Sequence, residues 1–252
     1  MHKLKNMIEL DKIVFPIPIN RIYFDKLYFD KTITTDRIER YKLNKKYVKG
    51  ILGLINLSVN NNNAIISLSG KFLSDANDLG SITKNNYDLI FDRFNKTGFI
   101  EIKPLLANEI QVFNCDVKKD ILVSNISKSL FGINKHLEML SDKYNITIHK
   151  DLSIFLKSNT KDCKDILNIY RKYDELVKHD NKEYLKIVGY HYLDKCKNML
   201  RIERRLSSFE AIRKAFNITH DGYIYLNEIL NSNANPIKSK FEDLKLTEEF
   251  VR

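Results

Sequence analysis

The stretch MLRIERRL, Met199–Leu206, restricts the fold more than any other part of the chain. Leu200, Ile202 and Leu206 alternate with Arg201, Glu203 and Arg205. Successive side chains of a strand leave on opposite sides, so this segment forms a strand with one apolar and one charged face. Other short strands are expected around it. IELDKIVF, INRIYF, FIEI and IQVFNCDV carry β-branched or aromatic residues near alternation, and GILGLINLSV and AIISLS flank Asn60–Asn63, a turn composition that predicts a hairpin. ITIHKDLSIFLK reads as a strand or a hairpin, and DILNIY as a short strand with Tyr170 near its end.

Helices are expected over residues 84–96, where Tyr87, Ile90, Phe91 and Phe94 share a face and Gly98 can end the run. Leu130, Ile133, Leu137, Leu140 and Tyr144 recur at helical spacing, residues 181–197 read as helical, and Ser207 with Glu210 forms a capping box that opens SFEAIRKAF. Strands and helices alternate irregularly, without a βαβ rhythm. The expected class is α+β with a largely antiparallel sheet and packed helices. One domain is expected over residues 1–232, in two halves, a strand-rich 1–115 and a second half 116–232, followed by a tail, 233–252.

The chain carries 42 Lys and Arg against 32 Asp and Glu, a net +10, which favours an anionic partner, nucleic acid being the commonest. Seven bases, Lys195, Lys197, Arg201, Arg204, Arg205, Arg213 and Lys214, stand against two acids in residues 195–214, and this cluster is the expected footprint for phosphates. Cys115, Cys163 and Cys196 are widely spaced and read as buried, reduced thiols. The first residues hold no apolar run long enough for a signal peptide or a membrane span, so a cytoplasmic protein is expected.

No phosphate-binding G-x-x-x-x-G-K, dinucleotide G-x-G-x-x-G or H-x-x-x-H metal pair occurs, and the six histidines are scattered. Three short stretches remain. FNCDVKKDI places Asp116 late in an apolar strand. MLRIERRL places Glu203 between Arg201 and Arg205. ILNIYRKYDEL sets Tyr170 before Lys172, Asp174 and Glu175. Carboxylates on neighbouring strands could share one Mg²⁺ or Mn²⁺, while a lysine near a tyrosine favours the phenolate. Each piece also has a plain structural reading. Tyr170 serves as a core or rim aromatic, Asp116 as a turn or capping residue, and RIERR as a solvated face with cross-strand ion pairs.

Taken together, NTKDCKDILNIYRKYDEL and LRIERRLSSFEAIRKAF resemble the phage and plasmid replication initiators typified by the filamentous-phage gene II protein. The pattern N-(x)10-Y-x-K-(x)2-E-L falls on Asn159, Tyr170, Lys172, Glu175 and Leu176, and an L-R-[IF]-E-x-R-[IL] strand on Leu200–Leu206. SLSGKFL resembles a further family segment, and CDVKKDI the acidic strand, with Lys118 where Thr is usual. The resemblance covers residues 64 to 232. It implies a rolling-circle initiator that nicks origin DNA and leaves a 5′-phosphotyrosine and a free 3′-OH. It implies Tyr170 as nucleophile, Lys172 as electrostatic helper, Asn159 as an orienting group, and Asp116 and Glu203 as ligands of a divalent cation, Mg²⁺ or Mn²⁺. Implied partners are single-stranded or melted origin DNA and a host helicase, in the cytoplasm of a bacterial cell. A DNA-binding regulator of the same fold that does not cleave is the alternative.

Overall fold

The computed structural model describes residues 7–33, 39–74, 80–140, 143–150, 153–158, 164–178 and 181–246. The fold is α+β, built on antiparallel strands with packed helices. The chain divides between Cys115 and Asp116 into two compact units. Residues 219–232 return to the first unit, and residues 233–252 belong to the second.

In the first unit the strands run β1 (Leu10–Pro18), β2 (Ile22–Phe24), β3 (Phe29–Ile33), β4 (Glu39–Leu43), β5 (Leu54–Val59), β6 (Asn63–Ser69) and β7 (Ile100–Ile102). Helices α1 (Lys45–Gly50) and α2 (Leu89–Asn95) are interspersed, and α8 (Leu226–Leu230) returns late in the chain. The main sheet has the order β3-β4-β5-β6-β1, and β2 pairs with β7 separately. The asparagine turn forms as expected: Asn60 Oδ1 accepts hydrogen bonds from the backbone of Asn62 and Asn63, both at 2.9 Å, and links β5 to β6. The core is apolar and aromatic, with Ile13, Phe15 and Ile17 of β1 buried beside Ile66 and Leu68 of β6. The expected helix over 84–96 shortens to α2, because residues 84–88 form turns.

The second unit contains β8 (Asn114–Leu122), which begins at the division, then α3 (Ile126–Glu138), β9 (Tyr144–Ile148), β10 (Ile154–Ser158) and β11 (Asp165–Arg171). Helices α4 (Lys172–Leu176), α5 (Lys182–Val188) and α6 (His191–Cys196) follow, then β12 (Met199–Leu206), α7 (Phe209–Phe216) and α9 (Pro236–Asp243). Strand order is β8-β12-β11-β10-β9. One face presents Leu156, Leu167, Ile169, Ile202 and Leu206, all buried with Leu130, Ile133 and Leu137 of α3 and Ile212 and Phe216 of α7. Each fully buried Leu or Ile contributes about 1.5–3 kcal/mol, so this apolar face is the unit's main source of stability.

Three local readings change. The predicted helix over 130–144 starts earlier, where the Asn125 side chain caps the Lys128 N–H, and Tyr144 opens β9 instead. The predicted helix over 181–197 breaks at Gly189, whose φ of 85° suits glycine and ends α5. The cap of α7 is Ser208, accepting from Ala211 N–H, so the Ser207–Glu210 box does not form. Among the described residues no helix is long and apolar enough to cross a membrane. Cys115 and Cys196 are buried, and Cys163 lies outside the described residues.

Candidate functional site

The second face of the β8, β12 and β11 strands is charged. Antiparallel pairing sets Tyr170 opposite Arg201, Asn168 opposite Glu203 and Ile166 opposite Arg205. Across the other edge of β12, the Arg201 guanidinium binds Asp120 through two hydrogen bonds of 2.7 and 2.6 Å. Arg205 Nε reaches Asp116 at 3.2 Å. Residue numbers rise along β8 as they fall along β12, which is antiparallel order and places Lys118 level with Glu203. The segments D-x-K-x-D and R-x-E-x-R thus face each other, with Asp120 bound to Arg201 and Asp116 to Arg205.

Tyr170 is half-buried, and its hydroxyl donates a hydrogen bond to Glu203 Oε1, diagonally across the strand pair. Asp116, Lys118 and Glu203 are all buried in this face. Arg201 is only 2% exposed, and the α5 and α6 side chains Tyr184, Tyr192 and Cys196 lie close enough to feel its charge. Burial would raise the Asp120 carboxyl, but the Arg201 bonds and charge, with Lys118 and Lys172 nearby, outweigh it and hold Asp120 below its ordinary value. It therefore stays ionised as a brace for Arg201. Burial pushes the Tyr184 and Tyr192 phenols up, so both remain protonated.

Lys172 does not share a strand face with Tyr170. It opens α4, is 1% exposed, and its ammonium binds Glu175 at 2.5 Å. Asn181 in turn donates to Glu175 Oε1 at 3.1 Å and to its backbone oxygen at 2.6 Å. The chain turns into a helix directly after Arg171, which carries Lys172 out of the strand that holds Tyr170. Tyr173, the neighbouring phenol, lies in α4 and not in the strand. Asn159 lies outside the described residues.

The structure divides the basic cluster of residues 195–214. Arg201 and Arg204 are each 2% exposed, on opposite faces of β12. Arg204 binds Asp165 at 3.0 and 2.9 Å and Pro236 O at 2.6 Å, tying β12 to β11 and α9, while Lys240 also reaches Asp165 at 3.1 Å. These two arginines are internal ties, because buried guanidinium groups require carboxylate partners. Arg205 remains 42% exposed at its side chain, and Lys195, Lys197 and Lys214 are exposed, with Lys197 paired to Asp194 at 2.8 Å. Arg213 is half-buried on α7, with its guanidinium 6.0 Å from the Phe209 ring centroid.

Asp116 and Glu203 share a face, yet they do not make a good donor set for Mg²⁺ or Mn²⁺. Asp116 is paired with Arg205, and Glu203 accepts from Tyr170 level with Lys118. A dication needs several oxygen ligands with negative charge to spare, and here the protein's own cations balance the carboxylates. Among the described residues no group of three or more His, Cys, Asp or Glu side chains could hold a metal ion. What the arrangement supplies is a phenol hydrogen-bonded to a carboxylate, a geometry in which the carboxylate can accept the phenol's proton. Sequence reading passed over Asp120, although the complementary D-x-K-x-D and R-x-E-x-R patterns carried the signal.

No protein-family model matches the sequence, and no curated protein matches it. Among solved structures, the chain aligns with a rolling circle replication initiator protein from Geobacillus stearothermophilus. The alignment covers 80% of this chain and 74% of that one, at 11% identity and a TM-score of 0.35.

Proposed function

We propose that this protein starts rolling-circle replication of a phage or plasmid by nicking one DNA strand, with Tyr170 as nucleophile and Glu203 as its base. The observation that carries the reading is the hydrogen bond from the Tyr170 hydroxyl to Glu203 on the charged face of the second unit. The sequence pattern around Tyr170 and the net charge of +10 support it. As the Tyr170 oxygen attacks phosphorus, Glu203 takes its proton. The bond from phosphorus to the 3′-oxygen breaks, and that oxygen takes up a proton to become the 3′-OH that primes synthesis. The 5′ end stays on Tyr170 as a phosphodiester, so the bond energy is kept and a later strand end can reverse the step. Arg201, fixed by Asp120, holds positive charge directly across from the reacting phenol, and half-exposed Arg205 offers a contact for the phosphate. No step runs through a metal ion.

The second reading, a DNA-binding regulator that does not cleave, is favoured by one observation: the protein's own cations balance the carboxylates of this face. The two are separated by incubating wild type, Tyr170→Phe and Tyr173→Phe with labelled supercoiled DNA carrying the chain's own coding region and its flanks. A covalent protein–DNA adduct in wild type and Tyr173→Phe, lost in Tyr170→Phe, supports the nicking reading. Binding without any adduct supports the regulator.

A further inference from the structure

Residues 21–50 hold nine Lys and Arg against four Asp and Glu, half of the chain's net charge in a short span of the first unit. Three of the lysines, Lys26, Lys31 and Lys46, stand over aromatic rings. Phe24 meets Phe29 at 5.0 Å and Tyr41 at 5.5 Å, and Tyr28 meets Tyr47 at 5.1 Å. Lys26 and Lys31 stand over the Tyr41 ring at 5.1 and 5.9 Å, and Lys46 over the Tyr47 ring at 4.7 Å. Lys26, Lys31, Arg40, Lys42, Lys45, Lys46 and Lys49 are all exposed. Glu39 answers part of this charge: it binds Lys31 and accepts from the Tyr41 hydroxyl at 2.8 Å. The excess is still basic, and the rings hold it in place.

We infer that this surface of the first unit binds the phosphate backbone of duplex DNA, as a contact separate from the Tyr170 face. Phosphates are the chemistry it fits, because clustered exposed ammonium groups release counterions from a polyanion. Duplex is the form it fits, because a single-strand platform needs open ring faces for stacking bases. Lysines stand over the Tyr41 and Tyr47 rings, and among the described aromatic residues of this segment only Tyr23 is exposed, which is too little for a row of stacked bases. Contacts of this kind position the protein on DNA without reading its sequence.

The test measures duplex and single-strand binding of three full-length proteins across a salt series. These are wild type, a triple variant Lys26→Ala, Lys42→Ala and Lys46→Ala, and a matched triple variant Lys84→Ala, Lys128→Ala and Lys135→Ala that removes the same charge from outside both basic segments. All six lysines are exposed, so the unfolding midpoints report whether each variant remains folded. For duplex DNA the first triple should make the slope of log affinity against log salt shallower by about 2 to 3, at roughly 0.9 per lost phosphate contact. The matched triple should leave the slope near wild type. Equal slopes in the two triples would overturn the inference, as would a loss confined to single strands. An equal loss of binding to anionic lipid vesicles would also overturn it, by assigning the surface to a membrane. Wild type that binds no duplex at low salt would overturn this inference too, while the Tyr170 adduct on single-stranded DNA still reports separately on the nicking reading.

Discussion

Residues 21–50 and residues 195–214 carry the same excess of five bases, nine against four and seven against two, yet the fold uses them differently. The first segment keeps its described lysines on the surface, three of them over aromatic rings. In the second, Arg201 and Arg204 are drawn inside and met by Asp120 and Asp165, and half-exposed Arg205 is met by Asp116. Those three carboxylates come from other strands, far away in sequence. A window of sequence counts the bases but not the partners that neutralise them. Alternation marks the difference: bases on a strand with buried neighbours are turned toward other strands, whereas bases in short strands and turns remain in water.

The comparison breaks most visibly in stability. Arg201→Met takes the arginine partner from the largely buried Asp120, and urea unfolding should show a loss of about 3–5 kcal/mol, while Arg204→Met leaves Asp165 with Lys240 alone and should lose less. Lys26→Met in the outer segment should leave the unfolding midpoint unchanged. Arginine variants as stable as wild type would mean that the inner ties are not what organise β12.

Next in size is the nicking step proposed for Tyr170. Glu203→Gln keeps a hydrogen-bond acceptor for Tyr170 but cannot take its proton. The rate of adduct formation should fall about 100-fold or more, measured at a temperature where the unfolding curve shows the variant folded. A Gln variant that nicks at the wild-type rate would remove Glu203 as the base.

Acid should distinguish the regions more gently. The Asp120 and Asp165 carboxyls both lie below the ordinary 3.8, because their arginine partners, with Lys240 beside Asp165, outweigh the cost of burial. A depressed folded value means that the stabilisation is complete above 3.8 and is lost as pH falls below it. Unfolding free energy should therefore drop through that range. In Asp120→Asn it starts lower and falls less steeply, which a pH series of urea titrations would show. The smallest effect is expected at Lys197, paired with Asp194 in water. Lys197→Ala should not move the unfolding midpoint.

Much of the fold could be read from the sequence where pattern and burial agree. MLRIERRL forms a two-faced strand, the asparagine turn joins β5 to β6, and the class is α+β. What escaped were features set by single residues or by distant partners. Gly189 breaks a continuous helical pattern through its backbone angle, and Asn125 rather than Leu130 decides where α3 begins. Lys172 was legible as a base near Tyr170, but not as the buried first residue of a helix bound to Glu175. The Tyr170–Glu203 contact depends on strand register, which neither segment states by itself; β11 and β12 must pair with Asn168 opposite Glu203 for the phenol to reach the carboxylate.

The central claim is that the Tyr170 oxygen becomes bonded to DNA, and trypsin isolates that residue. Cleavage after Lys164 and Arg171 releases DILNIYR with Tyr170 as its only tyrosine, and cleavage after Lys172 and Lys178 places Tyr173 in YDELVK. The decisive measurement is mass spectrometry of the adduct after nuclease trimming and tryptic digestion. A nucleotide phosphate on the tyrosine of DILNIYR is the expected result. The same mass on YDELVK or on any other peptide, with DILNIYR unmodified, would contradict it.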